Sequence, residues 1–527
     1  MDFNKKNYFL HLLDKITLKF LFYIGLLFPI LFYFKERSYI AQDEGYYALQ
    51  AKWIIDSGNW IAPMWWDSII YDRTIGIQWL IAFSQKLFGD SIFAAHLPSL
   101  IAGIITLFFS YKIAYIIKGK NNAIITIFIL ATTFLWVDNL HLATQDMSLL
   151  AFELFGIFSL LKYQNTSKAI WTFFAGLSIG PAIMLKSFMI ILPILAILPY
   201  IIVCQRKILS SLSLWLGVLL GIIPFASWLI LSIQEYGLSN VSGLVNKVYY
   251  LSYSDSYSGS FLYYFWNFPA NTFPWIIFCI IGLITNQKIS NHSARLLLTS
   301  YPLILFLLLS LFKTKTSYYS LQMVPFMAIN ASIGIQYVFS SEFKYKKCLS
   351  ILFISFGLIF ILASLFILIN TFIHAFNFHY IDTKIVILLL NCLGFPFLLF
   401  SIKNLSSKRI FLLLLAPYLA YSIIVQNGFL TNRDPQIKLD LVNSLVVNNH
   451  TINFILPSQF DEDSFKKLVK VALYTPTHGL ALRTVDSINR NQYAWVHYNS
   501  LIAEDMSDID IIYRSESIRP WILIQKR

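Results

Sequence analysis

The residues of this chain that could do chemistry gather in short polar stretches, each bordering a long apolar run. The first reads Ser38-Tyr39-Ile40-Ala41-Gln42-Asp43-Glu44-Gly45-Tyr46-Tyr47 and follows an apolar run over 16–34. A carboxylate held at such a boundary can accept the proton of an attacking hydroxyl. The second stretch, Tyr71-Asp72-Arg73, offers a guanidinium whose planar fork suits phosphate. Asp146 stands in His141-Leu142-Ala143-Thr144-Gln145-Asp146-Met147, and Lys186 in Met184-Leu185-Lys186-Ser187. Lys313 and Lys315 fill the hairpin Phe312-Lys313-Thr314-Lys315-Thr316-Ser317-Tyr318-Tyr319. Acids and bases at one depth predict a site that holds an anionic lipid group beside a carboxylate base.

Membrane helices must position them. The 527 residues are 57% hydrophobic, 17% aromatic and 13% charged, with a mean hydropathy of +0.64. That composition excludes a soluble globular protein. Apolar runs near the ~20 residues that cross a hydrocarbon core as a helix fall at 16–34, 92–117, 122–138, 147–162, 168–184, 187–204, 210–233, 271–286, 294–312, 319–340, 348–372, 383–402 and 409–427. They predict a polytopic α-helical membrane protein with about thirteen spans. Lysine and arginine mark alternate connections: Lys5, Lys6 and Lys15; Lys118 and Lys120; Lys162 and Lys168; Arg206 and Lys207; Lys288 and Arg295; Lys344, Lys346 and Lys347; Lys403, Lys408 and Arg409. The positive-inside rule makes these cytoplasmic. The N-terminus is then inside, and loops 35–91, 234–270 and 313–318 are outside with the C-terminus. Lysines on the outer face break that rule and call for a reason, of which a bound phosphate is one. A cleaved signal peptide is the other reading of the first run, but Lys35-Glu36-Arg37 follows it in place of a small-residue cleavage site.

Loop 35–91 is rich in tryptophan and tyrosine. Residues 44–56 and 74–88 both show helical apolar spacing, which predicts two amphipathic helices lying in the interface. A purely structural re-entrant loop is the alternative for the tryptophans. After residue 429 the apolar runs shorten to strand length. Strands are expected at Ile452–Leu456, Val469–Tyr474, Ala494–Tyr498, Ile509–Tyr513 and Trp521–Ile524, with a helix around Ile437–Val447. The chain thus divides into a transmembrane domain over 1–429 and a small external α+β domain over 430–527. The net charge of +13 belongs to the membrane part, because eleven basic and eleven acidic side chains balance beyond residue 430. It signals no nucleic-acid partner. Cys204, Cys279, Cys348 and Cys392 lie in or beside predicted spans without CxxC spacing, so neither a disulfide framework nor a zinc site is readable.

In order, these motifs resemble the GT-C class of membrane glycosyltransferases, in the branch of the lipid A aminoarabinose transferases and bacterial relatives of protein O-mannosyltransferases. The family's Asp-Glu-x-x-Tyr is similar to Asp43-Glu44-Gly45-Tyr46-Tyr47, and its Ser-Gly-x-Trp to Ser57-Gly58-Asn59-Trp60. Its Phe-Glu-Lys-Pro-Pro resembles Tyr71-Asp72-Arg73-Thr74-Ile75, where both prolines are lost and Arg73 keeps the charge. Gln78-Trp79-Leu80, Leu87-Phe88-Gly89 and Ala95-His96-Leu97-Pro98-Ser99 follow. Gln145-Asp146-Met147-Ser148, Gly180 to Ser187, Tyr263-Tyr264-Phe265 with Pro274-Trp275, and Thr314 to Pro325 complete a likeness over about residues 16–340.

The resemblance implies a polyprenyl-phosphate sugar donor and a lipid or protein acceptor on the outer face of a bacterial cytoplasmic membrane. Transfer would be a single displacement with inversion. Asp43 is implied as the base, with Glu44 or Asp146 orienting or sharing the load. Arg73, Lys186 and Lys315 are implied to neutralise the phosphate, and Tyr46, Tyr47, Tyr71, Asp72 and Tyr319 to line the pocket. No cofactor is implied, and a divalent metal lacks support because no histidine occurs in 234–270, where close relatives often carry one. A flippase of lipid-linked sugars is the alternative. It would want ionisable groups at the bilayer midplane and internal repeats, whereas the charges read here lie at the outer rim.

Overall fold

A computed structural model describes residues 19–33, 37–39, 42–66, 68–247, 258–286, 291–340, 342–373, 383–399, 409–428, 435–442, 444–456, 461–501 and 508–527. Lys5, Lys6, Lys15, Lys35, Glu36, Lys288, Lys403 and Lys408, named for topology above, lie outside these residues, as do 248–257 of the second long loop.

Both helices expected in the first loop form. Helix α1 spans Gln42–Ser57 and places Asp43 and Glu44 in its first turn, where unpaired N–H groups and the helix dipole favour carboxylates. Helix α2 spans Gly76–Phe88 and is two-faced: Ile77, Gln78, Ile81 and Gln85 are buried, while Phe83 and Leu87 are exposed, as suits a lipid-facing side. A short antiparallel hairpin, β1 (Met64–Trp65) with β2 (Ser68–Ile69), lies between them. Gln78 donates to Gln50 across the α1–α2 contact at 2.9 Å, and Trp79 Nε1 donates to the Trp60 carbonyl at 2.8 Å.

The bundle elements that carry the site are α3 (Ile92–Lys118), α4 (Gln145–Thr166), α5 (Ile179–Lys186), α6 (Leu212–Val241) and α7 (His292–Leu311). Among the described residues six helical runs are long and apolar enough to cross a membrane, or up to eight if each of two bent pairs is one span. This is a multi-pass membrane protein, and the count among the described residues is lower than the thirteen or so spans expected. Val324–Val338 and Thr383–Leu398 are short, and the helix pairs Lys120–Ala131 with Phe134–Leu140 and Tyr263–Thr272 with Trp275–Thr285 are bent by 66° and 107°. The first bend falls at Thr132-Thr133, whose hydroxyls donate back to the Phe128 and Ile129 carbonyls at 2.6 and 2.7 Å and loosen the helical ladder. The second falls at Phe273-Pro274, where proline has no N–H to continue it. The apolar stretch Ala169–Cys204 breaks at Ser187, at φ 49° and ψ −126° directly after Lys186.

The C-terminal residues build a five-stranded sheet of β3 (Ile452–Ile455), β4 (His478–Leu482), β5 (Tyr493–His497), β6 (Ile509–Tyr513) and β7 (Trp521–Lys526). The order is β4-β3-β5-β7-β6, parallel for β4, β3 and β5 and antiparallel at β7. Alternation sends Phe454, Trp495 and Leu523 to one core and Ile455, Val496 and Ile522 to the other. The strand expected at Val469–Tyr474 is instead the end of helix α8 (Glu462–Leu473). Phe465, Leu468, Val469 and Ala472 recur at helical spacing, and Asp461 caps the first turn by accepting from the Ser464 N–H at 2.9 Å. Strand β4 went unread because it lies at the sheet edge with half-buried and exposed positions and shows no clean alternation.

Candidate active site

Helix α1 brings Asp43 and Tyr47, one turn apart, to the loop that holds Arg73. Arg73 Nη1 donates to the Tyr47 hydroxyl at 2.5 Å and lies 3.5 Å from Asp43 Oδ1. Its Nε and Nη2 reach Asp72 Oδ2 at 3.1 and 3.0 Å. The guanidinium also sits over the rings of Tyr46 and Tyr47, at 5.3 and 5.0 Å from their centroids. Burial pushes both phenols above the ordinary tyrosine value, so they stay neutral beside the arginine. The Asp43 carboxylate is 51% exposed. It is open to an incoming group, whereas Asp72 keeps a buried Oδ1 with no hydrogen-bond partner in the protein.

A second cluster faces the first. Asp146 in the first turn of α4 pairs with Lys186 in the last turn of α5. Each charge has the sign that its helix end favours. Lys186 Nζ lies 4.9 and 5.0 Å from the ring centroids of Tyr318 and Tyr319. These four side chains, with Leu149 and Gln322, line a small cleft with room for about one water. Asp146 also acts electrostatically on Tyr47, and Asp43 on Tyr318 and Tyr319, which ties the two clusters into one charged floor.

One close approach explains why they meet. A Cβ on Gly76 would lie 2.4 Å from the Met184 carbonyl oxygen. Only glycine lets the start of α2, three residues after Arg73, seat against the end of α5, two residues before Lys186.

Three of the expected site residues are placed elsewhere. The Lys315 ammonium turns to backbone carbonyls: it donates to those of Leu309, Ser310 and Phe312, at 2.9 and 2.7 Å for the first two, and so caps the C-terminus of α7. All three of its N–H groups are used. Tyr71 packs into α6, its ring centroid 6.0 Å from Trp228 and 6.3 Å from Tyr236. Glu44 is fully buried and contacts His96 of α3 and the Ala143 N–H. It joins α1 to α3. His96 was not read as a functional residue. Its signal was a lone histidine near the outer end of an apolar run, within the Ala95-His96-Leu97-Pro98-Ser99 motif. Tyr318 was also missed, although it adjoins Tyr319.

The rim-only distribution of charge needs a second correction. Glu153 lies buried within α4, two turns beyond Asp146, and the Tyr301 hydroxyl donates to it. Among the described residues no group of three histidine, cysteine, aspartate or glutamate side chains is placed to hold a metal ion. The four cysteines are free thiols.

The cap assignment has a direct consequence. Lys315→Met keeps the apolar stem and removes the charge, so it should lower thermal stability while leaving affinity for the polyprenyl phosphate that the resemblance implies within about twofold. Loss of a helix-terminal cation is worth roughly 0.3–2 kcal/mol. Thermal unfolding and lipid-phosphate titration of the purified protein check it, and a tenfold loss of phosphate affinity would return Lys315 to the binding site.

An apolar groove of about 510 Å³ opens beside this floor. It is walled by Phe83 and Leu87 of α2, Leu97 and Ile101 of α3, and Ala151 and Phe155 of α4. Ser148, two residues from Asp146, also lines it.

Known proteins resemble this chain in sequence and in fold. Residues 72–231 match the family described as dolichyl-phosphate-mannose-protein mannosyltransferase. An uncharacterized protein of Aquifex aeolicus is 23% identical over 63% of this chain and 67% of its own length. Undecaprenyl phosphate-alpha-4-amino-4-deoxy-L-arabinose arabinosyl transferases of Shewanella sediminis and Erwinia tasmaniensis are each 25% identical, over 60% and 63% of this chain. The matches span 59% and 62% of those two transferases' lengths. In fold, the chain is similar to ArnT from Cupriavidus metallidurans bound to undecaprenyl phosphate, with a TM-score of 0.73 over 97% of each chain at 16% identity. The oligosaccharyltransferase of Archaeoglobus fulgidus aligns with a TM-score of 0.50 over 89% of this chain and 64% of its own. The chain is thus similar in sequence to these transferases over part of its length, and in fold to ArnT over nearly all of it.

Proposed function

We propose that this chain, a glycosyltransferase of the GT-C class, moves a sugar from a polyprenyl phosphate to a lipid A-like or protein acceptor. Transfer takes place at the outer face of the bacterial cytoplasmic membrane and inverts the anomeric centre. The observation that carries this reading is the charged floor beside an apolar groove: Asp43 and Arg73 face Asp146 and Lys186, and the groove begins two residues from Asp146. A polyprenyl tail suits the groove and a phosphate suits the floor. The arabinosyl transferase relatives and the ArnT structure bound to undecaprenyl phosphate support that donor class.

In the proposed step the acceptor oxygen attacks the anomeric carbon as its proton passes to Asp43. The bond from that carbon to the phosphate oxygen breaks, and polyprenyl phosphate departs with the electron pair. The developing phosphate charge is met by Arg73 and Lys186. Tyr46 and Tyr47 hold the guanidinium from below, and Asp72 Oδ1 is placed to accept from a sugar hydroxyl. Asp146 orients Lys186. The flippase alternative draws no support from the Shewanella sediminis and Erwinia tasmaniensis relatives, which are named as transferases.

Purified protein given an undecaprenyl-phosphate sugar and a lipid A acceptor should yield glycosylated acceptor and free undecaprenyl phosphate. NMR of the product should show the opposite anomeric configuration to the donor. Retained configuration would remove the single displacement, and movement of intact donor between leaflets without bond cleavage would install the flippase. The same reading sets the topology. A reporter fused after Arg527 should be active only outside the cytoplasm, since the basic connections face in. Cytoplasmic activity there would reverse the placement of the whole site.

A further inference from the structure

We infer that the C-terminal sheet domain is a positioning element for the transfer reaction, with α8 and the turn at 475–478 holding α1 so that Asp43 meets the substrate. This rests on the reading of Asp43 as the base. Helix α1 carries two stripes at i, i+4 spacing. Asp43 and Tyr47 face the charged floor, while Gly45, Leu49 and Trp53 face the C-terminal domain. Two residues apart is about 200° around a helix, so one side of α1 serves chemistry and the opposite side serves the dock.

The dock is close-fitting at the level of Asp43. A Cβ on Gly45 would lie 2.6 Å from Val469 Cγ1 and 3.0 Å from Leu473 Cδ1, both on α8. Val469 is buried, and valine turns little about χ1 in a helix, so α8 and α1 could not both keep their places. Further along, Leu49 and Trp53 join one buried cluster with Phe454, Leu468, Trp495 and Trp521. Lys52 is buried, and its Nζ meets the Thr475 and Pro476 carbonyls at 3.3 and 2.9 Å and Asp90 at 3.3 Å. Trp53 Nε1 donates to His478 Nδ1 at 3.1 Å, and His478 Nε2 lies 2.7 Å from the Ala472 carbonyl. Those two bonds together need the neutral ring with its proton on Nε2. Burial, with Lys52 adding, pushes this histidine down to about 4.

The domain also reaches the phosphate side of the floor. Phe465 of α8 stacks on Trp65 at 5.3 Å, Trp65 stacks on Tyr46 at 5.1 Å, and Tyr46 lies under Arg73. A shift of α8 would therefore be felt at both the proposed base and its neighbouring guanidinium.

The test is a compensating pair. Gly45→Ala should lower kcat about 10- to 100-fold, the range that a misplacement near 1 Å produces, with donor KM changed much less. Hydrogen exchange across 42–57 should rise in the same variant. Val469→Ala removes the opposing methyl: alone it should stay near wild type, and combined with Gly45→Ala it should restore both kcat and protection. If Gly45→Ala does not fold, Lys52→Met supplies the second route, since it keeps the stem but loses the three polar contacts. It should loosen α1 and lower kcat several-fold at unchanged affinity for undecaprenyl phosphate. Wild-type kcat in Gly45→Ala, or failure of Val469→Ala to rescue a folded Gly45→Ala, overturns the positioning role. A wild-type chain that transfers no sugar would instead be a failure of the proposed function.

Discussion

Asp43→Asn should cut sugar transfer about a thousandfold while the protein remains folded and inserted. The substitution is nearly isosteric, and Asp43 is half-exposed at the first turn of α1, where it contacts Arg73 at 3.5 Å. Little stability is at stake. What disappears is the group that receives the acceptor's proton as the oxygen attacks. General base catalysis typically contributes ~10²–10⁴-fold, and a thousandfold loss corresponds to about 4 kcal/mol of transition-state stabilisation. Because the base acts on the acceptor in the transition state, the loss should fall on kcat, with donor affinity nearly unchanged. Asp146→Asn is the informative companion. It removes the partner of Lys186, so its defect should extend to donor affinity. Wild-type turnover in pure, monodisperse Asp43→Asn would move the base elsewhere, with Asp146 next in line.

Arg73→Ala should weaken binding of undecaprenyl phosphate about 10- to 100-fold and slow turnover as well, since hydrogen bonds to charged groups are worth about 1.5–3 kcal/mol. The guanidinium is held from three sides by Asp72, Tyr47 and the Tyr46 ring, so it is organised before a donor arrives. The same group would hold ground-state phosphate and stabilise the departing one, which makes both KM and kcat respond. Arg73→Lys keeps the charge but loses the planar fork that grips Asp72 through two nitrogens. It should fall between wild type and alanine. Lipid-phosphate titration beside steady-state kinetics separates the effects, and equal affinities in wild type and Arg73→Ala would confine Arg73 to pairing with its carboxylate neighbours.

Local spacing determined a good deal of this protein. Apolar runs name a membrane protein whatever packs against them, because the solvent sets their length. The two helices of the first loop were legible from their period, and Asp43, Arg73, Asp146 and Lys186 from charges placed at apolar boundaries. The tertiary structure decided what each charge faces. Asp43 and Glu44 are adjacent in sequence, yet they point about 100° apart on a helix: one opens to the floor and the other is sealed against His96, 52 residues on. Lys315 read as a phosphate ligand because an outer lysine needs an anion. The fold supplies three backbone carbonyls instead, an electrostatic equivalent that a charge count cannot distinguish. Val469 read as strand because its apolar run has strand length, although Phe465, Leu468, Val469 and Ala472 recur at the helical spacing that the structure shows. Lys52 meets its partners more than 400 residues away, at Thr475 and Pro476. Contacts across such separations depend on how every intervening helix turns. Periodicity reports which face of an element is apolar, and only the folded chain reports which surface that face meets.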